Sequence, residues 1–274
     1  MIAVLSATEH DFYAMPLPFA VYSWLKAGAN TVYVFAPFGG EHKKIDLALK
    51  YCPNTTVYWF NCEEKRIPTY SQVIRNFGAM VDIHLPFQTM LWTGDSDMCV
   101  FTDYFKNITE GINVVGADLT SNDQYPMCFI GMNRKDWLNK VCLSEVCDEN
   151  SSPKTHRWLT PQESTSKLID PIEGINIRGE QWNFDQWFIR KTLDEHNANV
   201  IRHNRSNGIT QFATRRADRD GWHFNPADIL DAHLPRPLTD DENFNKVYEL
   251  FKYKYPEDDL TWMKEYQQAY KKLL

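Results

Sequence analysis

Thr89-Met90-Leu91-Trp92-Thr93-Gly94-Asp95-Ser96-Asp97-Met98-Cys99-Val100-Phe101 is the stretch around which this 274-residue chain is organised. An apolar run ends in Thr-Gly, two carboxylates follow with one residue between them, and the chain turns apolar again. In extended backbone, residues i and i+2 point to the same side, so Asp95 and Asp97 are expected to face one small volume with Ser96 turned away. Two carboxylates that close repel each other unless something positive sits between them. A hard divalent cation with oxygen ligands meets that need and can also hold phosphate oxygens. An Asp-x-Asp pair is equally at home in a plain surface turn, so its meaning depends on where the rest of the chain places it.

The residues before it set that place. Ile2 to Ala7 reads as a buried strand that ends in small residues at Ser6-Ala7-Thr8. Pro16 to Ala27 has helical spacing and is closed by Gly28. Thr31 to Ala36 is a β-branched and aromatic strand, His42 to Tyr51 a helix, and Thr56 to Phe60 a third strand. Strand and helix alternating at this spacing predict a parallel α/β sheet. Ser71 to Ile83 is expected to be the next helix, with Gln72 and Arg75 sharing one side. The carboxylate pair then falls at the end of the fourth strand, beside the end of the first. Ligands bind outside the carboxyl ends of strands in such sheets.

Beyond Phe101 the pattern predicts a helix to Thr109, strands at Asn113 to Ala117 and Met127 to Met132, and a helix from Asn133 to Val141. Cys147 to Pro171 reads as a long irregular loop over or beside the site. Asn183 is placed to cap a helix running to about His196, with Asp185 in its first turn where the helix dipole favours a carboxylate. Asn199 to Arg202 reads as a strand, 215–226 as a mixed loop, and Asp231 to Pro237 as a proline-braced turn. Asn243 to Tyr253 and Leu260 to Leu274 are amphipathic helices with a packing role.

Composition narrows the function classes. A net charge of −7 argues against a nucleic-acid partner. No apolar run has the length of a membrane span, and Met1 to Ala7 lacks the pattern of a secretory leader. Six cysteines without a CxxC pair point to free thiols in a reducing compartment rather than a zinc site. A cytoplasmic protein is expected. Nine Trp and thirteen Tyr supply core and also platforms on which sugar rings stack.

The ordered set of motifs resembles the GT-A-fold glycosyltransferases, which use nucleotide-activated sugars. Ile2 to Thr8 is similar to their first nucleotide-contacting strand. Ser71-Gln72-Val73-Ile74-Arg75 is similar to the Gln-x-x-Arg helix, and Gly94-Asp95-Ser96-Asp97-Met98 to the DxD motif. Pro126-Met127-Cys128-Phe129-Ile130-Gly131-Met132 is similar to the strand that lines the sugar pocket. Phe184-Asp185-Gln186-Trp187-Phe188 is similar to the acidic motif at a late helix start, and His233-Leu234-Pro235-Arg236-Pro237 to the C-terminal His with its following basic residue. More closely, the chain resembles soluble glycosyltransferases of large algal DNA viruses, one of which is a xylosyltransferase.

The resemblance implies one α/β GT-A-like domain over 1–274, with a central, mostly parallel twisted sheet flanked by helices and with C-terminal helices. The half 1–100 would bind nucleotide and the half 101–274 would face the acceptor. It implies a metal-dependent transferase acting on a UDP-sugar, with UDP-xylose as a candidate, and on the hydroxyl of a glycan or glycoprotein. Asp97 would ligate Mn²⁺ or Mg²⁺ directly, Asp95 would bind the metal or the donor's ribose and sugar, and His233 would be the third ligand. Imidazole favours Mn²⁺, and His223 and His203 compete for the role. Ala7, Thr8, Arg75, Asp95, Ser96 and Arg236 would hold the donor, with Arg236 clamping the diphosphate. An inverting enzyme needs a general base. Asp185 is the first candidate, Glu180 the second and Asp118 the third. A retaining enzyme would instead set Asp185 or Gln186 against the sugar's reactive carbon. A nucleotidyltransferase or phosphohydrolase using the same carboxylates, and a non-catalytic glycan-binding protein, are the alternatives.

Overall fold

Ile2–Ser6 is buried along its whole length, with Ala3 and Leu5 facing one layer of side chains and Ile2 and Val4 the other. That is the pattern of a strand covered by helices on both faces. The computed structural model describes residues 1–121, 123–148, 155–172, 183–206 and 216–274. Its strands are β1 (Ile2–Ser6), β2 (Thr31–Phe38), β3 (Thr55–Asn61), β4 (Met90–Thr93), β5 (Met98–Val100), β6 (Ile112–Val115), β7 (Ile130–Asn133), β8 (Ser144–Asp148), β9 (Thr155–Trp158), β10 (Val200–His203), β11 (Arg216–Ala217) and β12 (Asp231–His233). A seven-stranded sheet runs β10-β6-β7-β4-β1-β2-β3, and β11-β12-β5 form a small second sheet. Only β7 runs against its neighbours in the large sheet, so the sheet is mostly parallel, as expected.

Helices Leu17–Lys26, Asp241–Lys254 and Thr261–Lys271 cover one face, where Trp24, Trp92, Phe244 and Tyr266 are buried. Helices Ile67–Ile74, Arg134–Lys140 and Phe184–Glu195 cover the other, around Val73, Phe77, Trp137 and Ile189. The C-terminal helix Thr261–Lys271 also braces the N-terminal segment: Tyr266 donates to the Ala14 carbonyl at 3.1 Å and Tyr270 to Asp11 at 2.9 Å. Among the described residues, no helix is long and apolar enough to cross a membrane. Among the described residues, Cys52, Cys62, Cys99, Cys128 and Cys142 are free thiols.

Several expected elements differ. The helix expected over Ser71 to Ile83 begins at Ile67, with Pro68 in its first turn, and tightens into a 3₁₀ segment from Arg75 to Met80. The helix after Phe101 shrinks to Tyr104–Asn107, and Met127–Phe129 is a 3₁₀ turn ahead of β7. The loop expected from Cys147 to Pro171 contains β9, paired with β8, and a helix Pro161–Ile169. That helix has a complete capping box: Glu163 N donates to the Thr160 hydroxyl and Thr160 N donates to the Glu163 carboxylate. Asn183 makes no side-chain cap; its Oδ1 accepts from Gln186 Nε2 at 3.1 Å.

Candidate active site

At Gly94 the chain leaves β4 and must enter β5, which belongs to the other sheet. A side chain at this position would stand 2.7 Å from Leu5 Cδ2 and 2.9 Å from Trp24 Nε1, so only glycine lets the crossing pass. Asp95 to Met98 then forms a tight turn, closed by Met98 N donating to the Asp95 carbonyl at 3.1 Å. The expected extended backbone is corrected here, because a switch between sheets needs a turn. Ser96 is therefore not turned away: Asp95, Ser96 and Asp97 all line one cavity. The Ser96 hydroxyl is buried and has no hydrogen-bond partner among the described residues.

β-pairing delivers His233 to this turn. β12 runs antiparallel to β5 with His233 opposite Met98, and Leu234 N donates to the Asp97 carbonyl at 2.9 Å. Asp97 is 2% exposed. Its Oδ2 is met by Arg236 Nη2 at 2.5 Å, His233 Nε2 at 3.0 Å and Arg219 Nη2 at 3.3 Å. Burial pushes the Asp97 carboxyl up, but the hydrogen bond and charge of His233 and the guanidiniums of Arg236 and Arg219 outweigh it and hold the group down at about 2. Arg236 lies over the rings of Phe12 and Tyr13, 4.9 and 5.0 Å from their centroids.

Asp95 has a different partner. Arg75, 8% exposed at the end of its helix, ion-pairs with Asp95 and donates Nη2 to Asp185 Oδ2 at 2.9 Å. Its Nη1 also donates to the Gly94 carbonyl at 3.0 Å and its Nε to the Gln72 carbonyl at 3.2 Å. One buried guanidinium thus separates two carboxylates that would otherwise repel. Asp185, 1% exposed, also accepts from Gln186 N at 2.9 Å. Burial raises its carboxyl above the ordinary value, against the opposing pull of Arg75.

The structure brings Thr8, Arg75, Asp95, Ser96, Asp97, Asp185, His233 and Arg236 to one cavity of ≈ 230 Å³. Ala7 is fully buried and its N–H donates to the Phe35 carbonyl at 3.0 Å; it does not line the cavity. Glu180 lies outside the described residues. His223 is exposed and does not line the cavity. His203 sits on the outer strand β10 and bonds Asn113 Oδ1 at 3.0 Å. Asp118 accepts from the backbone of Arg205 and Ser206, at 2.8 and 2.7 Å.

Sequence reasoning missed Tyr13, Arg216, Asp218 and Arg219. The last three stand on or just after β11, beside β12, within a run of alternating charge from Arg216 to Asp220 that was their only signal. Asp218 Oδ1 and Arg216 Nη2 both lie 3.1 Å from His233 Nδ1.

The donor set fits a divalent ion in part. Asp97 and His233 offer a carboxylate oxygen and an imidazole nitrogen 3.0 Å apart. With its proton on Nδ1 toward Asp218, His233 presents the Nε2 lone pair to a metal. Among the described residues no three acidic, His or Cys side chains converge in metal-binding geometry. Asp95, expected to bind the metal or the donor's ribose and sugar, is ion-paired with Arg75.

A second cavity, ≈ 540 Å³, adjoins the first. The two share a wall made of Arg75, Asp95, Gln186, Arg219 and His233. Ser6, Ser71 and Gln72 line the first away from that wall, and Thr120, Pro126, Met127 and Cys128 line the second.

No family model matches the chain, and no curated protein matches it. Among solved structures, it overlaps with an active-site mutant of LgtC at 10% identity and a TM-score of 0.48, covering 92% of this chain and 96% of that one. It overlaps similarly with the galactosyltransferase LgtC in complex with donor and acceptor sugar analogues, at 12% identity and a TM-score of 0.46, covering 91% and 95%. The chemistry of the site rests on its own residues.

Proposed function

We propose that the chain is a glycosyltransferase that moves a sugar from a nucleotide-diphosphate donor to a glycan hydroxyl. The observation that carries this reading is the pair of adjoining cavities with one charged wall between them. A transferase must hold two substrates on either side of the reacting atoms, with charge placed where the leaving group departs. The smaller cavity offers Ser6, Thr8, Ser71 and Gln72 to a nucleoside, UDP being the leading candidate. Arg236 and Arg219 are placed for its diphosphate, and Arg75 holds Asp95 toward the donor's ribose and sugar. The larger cavity takes the sugar, xylose among the candidates, and the acceptor.

Asp97 and His233 would hold Mn²⁺ or Mg²⁺. When bound, such an ion supplies positive charge to the leaving diphosphate. Asp185 is the general base of an inverting transfer. It accepts the acceptor hydroxyl proton while the new C–O bond forms and the bond to the diphosphate breaks. Its raised proton affinity suits that role. A retaining transfer is the second reading, supported by Gln186, which borders both cavities while Asp185 borders only the smaller.

Thermal unfolding with UDP or GDP, with and without Mn²⁺, tests the donor. A ligand at about a hundred times its Kd stabilises by about 2.7 kcal/mol, several degrees of Tm at this chain length. If neither nucleotide raises Tm with Mn²⁺ or Mg²⁺, the reading fails. The anomeric configuration of the product, read by NMR, separates inversion from retention.

A further inference from the structure

We infer that the groove between residues 222–226 and helix Asp241–Lys254 is a sugar-binding subsite, which grips a neutral residue of the acceptor glycan away from the reacting hydroxyl. Its service to an acceptor rests on the transferase reading; the sugar site itself rests on the groove. The groove is ≈ 760 Å³, and Trp222, Phe224, Lys246, Glu249, Lys252 and Tyr253 are among the residues that line it. It continues from the acceptor side of the candidate active site. Asp218, Arg219 and Asp220 line the larger cavity there, and a turn closed by Gly221 N donating to the Asp218 carbonyl at 2.8 Å delivers the chain to Trp222. Asp220 and Trp222 are neighbours but one, so at most about 7 Å separates their Cα atoms.

The lining selects the ligand. The Trp222 and Phe224 rings sit 5.3 Å apart and half-buried, and Tyr253 stands 54% exposed on the helix wall. Such rings give a platform to the apolar C–H face of a sugar. Lys246, Glu249 and Lys252 add donors and an acceptor, which match hydroxyls that both give and take hydrogen bonds. Their own pairs, Lys246 with Glu242 at 2.7 Å and Lys252 with Glu249 at 3.5 Å, lie at the surface, where ion pairs hold little free energy and exchange readily. Each lysine is matched by a glutamate, which leaves no surplus charge to favour an anionic membrane or an acidic sugar. Leu250 is 3% exposed and the described lining holds no Ile, Val or Met, so a partner helix finds no aliphatic anchor. Trp222 Nε1 is buried without a hydrogen-bond partner among the described residues, and a sugar hydroxyl would supply one. A concave aromatic surface with a few polar groups is the build of a small-ligand site.

The test is calorimetric titration of the full chain, without nucleotide or metal, with neutral oligosaccharides of glucose, xylose, galactose and mannose, each series running from monosaccharide to pentasaccharide. At least one series is expected to bind, and more tightly with length. Trp222→Ala and Tyr253→Ala should each weaken the best binder at least about tenfold, and Tyr253→Phe, which keeps the ring, should bind as wild type does. Tyr253 is exposed, so Tyr253→Ala reads the site even where Trp222→Ala does not fold. No binding in any series, or binding that Tyr253→Ala leaves unchanged, overturns the inference. So does sedimentation showing a dimer that Tyr253→Ala disrupts, or adsorption to phosphatidylserine vesicles, in place of sugar binding. Tyr253→Ala should leave any rise in Tm caused by UDP or GDP as it is in wild type. Sugar binding in the groove with no response to either nucleotide would keep the sugar site and sink the transferase reading; a nucleotide response without binding in the groove would do the reverse.

Discussion

His233 Nε2 lies 3.0 Å from Asp97 Oδ2 although 136 positions separate the two residues along the chain. The contact is fixed by backbone, not by side-chain reach. Asp97 ends the turn into β5, His233 ends β12, and the antiparallel register of those strands sets His233 opposite Met98. A slip of one residue would turn His233 to the other face of the small sheet.

Asp97→Asn should remove any Mn²⁺-dependent stabilisation by UDP and also lower the stability of the protein itself. Two guanidiniums converge on that buried oxygen, and removing one partner of a buried ion pair costs about 3–5 kcal/mol. Thermal unfolding with and without ligand measures both effects. Unchanged donor affinity would exclude Asp97 as a ligand.

Arg75→Met strands two carboxylates at once and should destabilise by about 3–5 kcal/mol. Adding Asp185→Asn should recover part of that loss, because Asp95 and Asp185 no longer repel. A double-mutant cycle in denaturant reads the coupling. Strict additivity would show that Arg75 does not bridge the pair.

Two buried carboxyls should give opposite pH signatures. The folded-state value of Asp97 lies below its ordinary value, so its contribution is complete above about pH 4 and is lost as pH falls toward about 2. The folded-state value of Asp185 is raised, so its contribution is present below the ordinary carboxyl range and is lost as pH rises through the raised value. The stability of wild type minus that of Asp185→Asn should therefore fall with rising pH. As a base Asp185 must be ionised, so kcat/KM should drop on the acid side at a pH above that of an exposed aspartate. Asp185→Asn should keep donor binding and lose transfer.

Thr160→Ala should cost about 1 kcal/mol through loss of the helix cap, with kcat unchanged. Gly94→Ala, which drives a methyl into Leu5 and the Trp24 ring, should cost about 1–3 kcal/mol. It should also disturb the carboxylate turn, visible as a loss of nucleotide-induced stabilisation larger than that of Thr160→Ala.

The sheet was legible because β1, β2 and β3 are apolar, β-branched runs separated by helical spacing, a pattern that needs no distant information. Asp95 and Asp97 could be placed at a strand end for the same reason. Their partners were harder. The helix starting at Pro161 carries its signal in Thr160 and Glu163, but the polar composition around it obscures an amphipathic pattern. Arg219 stands in a short charged connection with no periodicity, and only the pairing of β11 with β12 brings it to Asp97. The Arg75 bridge depends on Asp185, 110 positions away, and local spacing cannot show which of two carboxylates a guanidinium will choose.

The pairing of β5 with β12 has a consequence in time. Asp95 and Asp97 are synthesised early, yet His233, Arg236 and the helix that braces residues 11–14 come last, and contacts between distant segments form only after a costly loop closure. A chain still on the ribosome before β12 is made would carry the carboxylate turn without His233 and Arg236, and one released short of Thr261–Lys271 would lack the Tyr266 and Tyr270 hydrogen bonds that brace residues 11–14. The cavity around the carboxylate turn would thus be among the last things the folding chain completes.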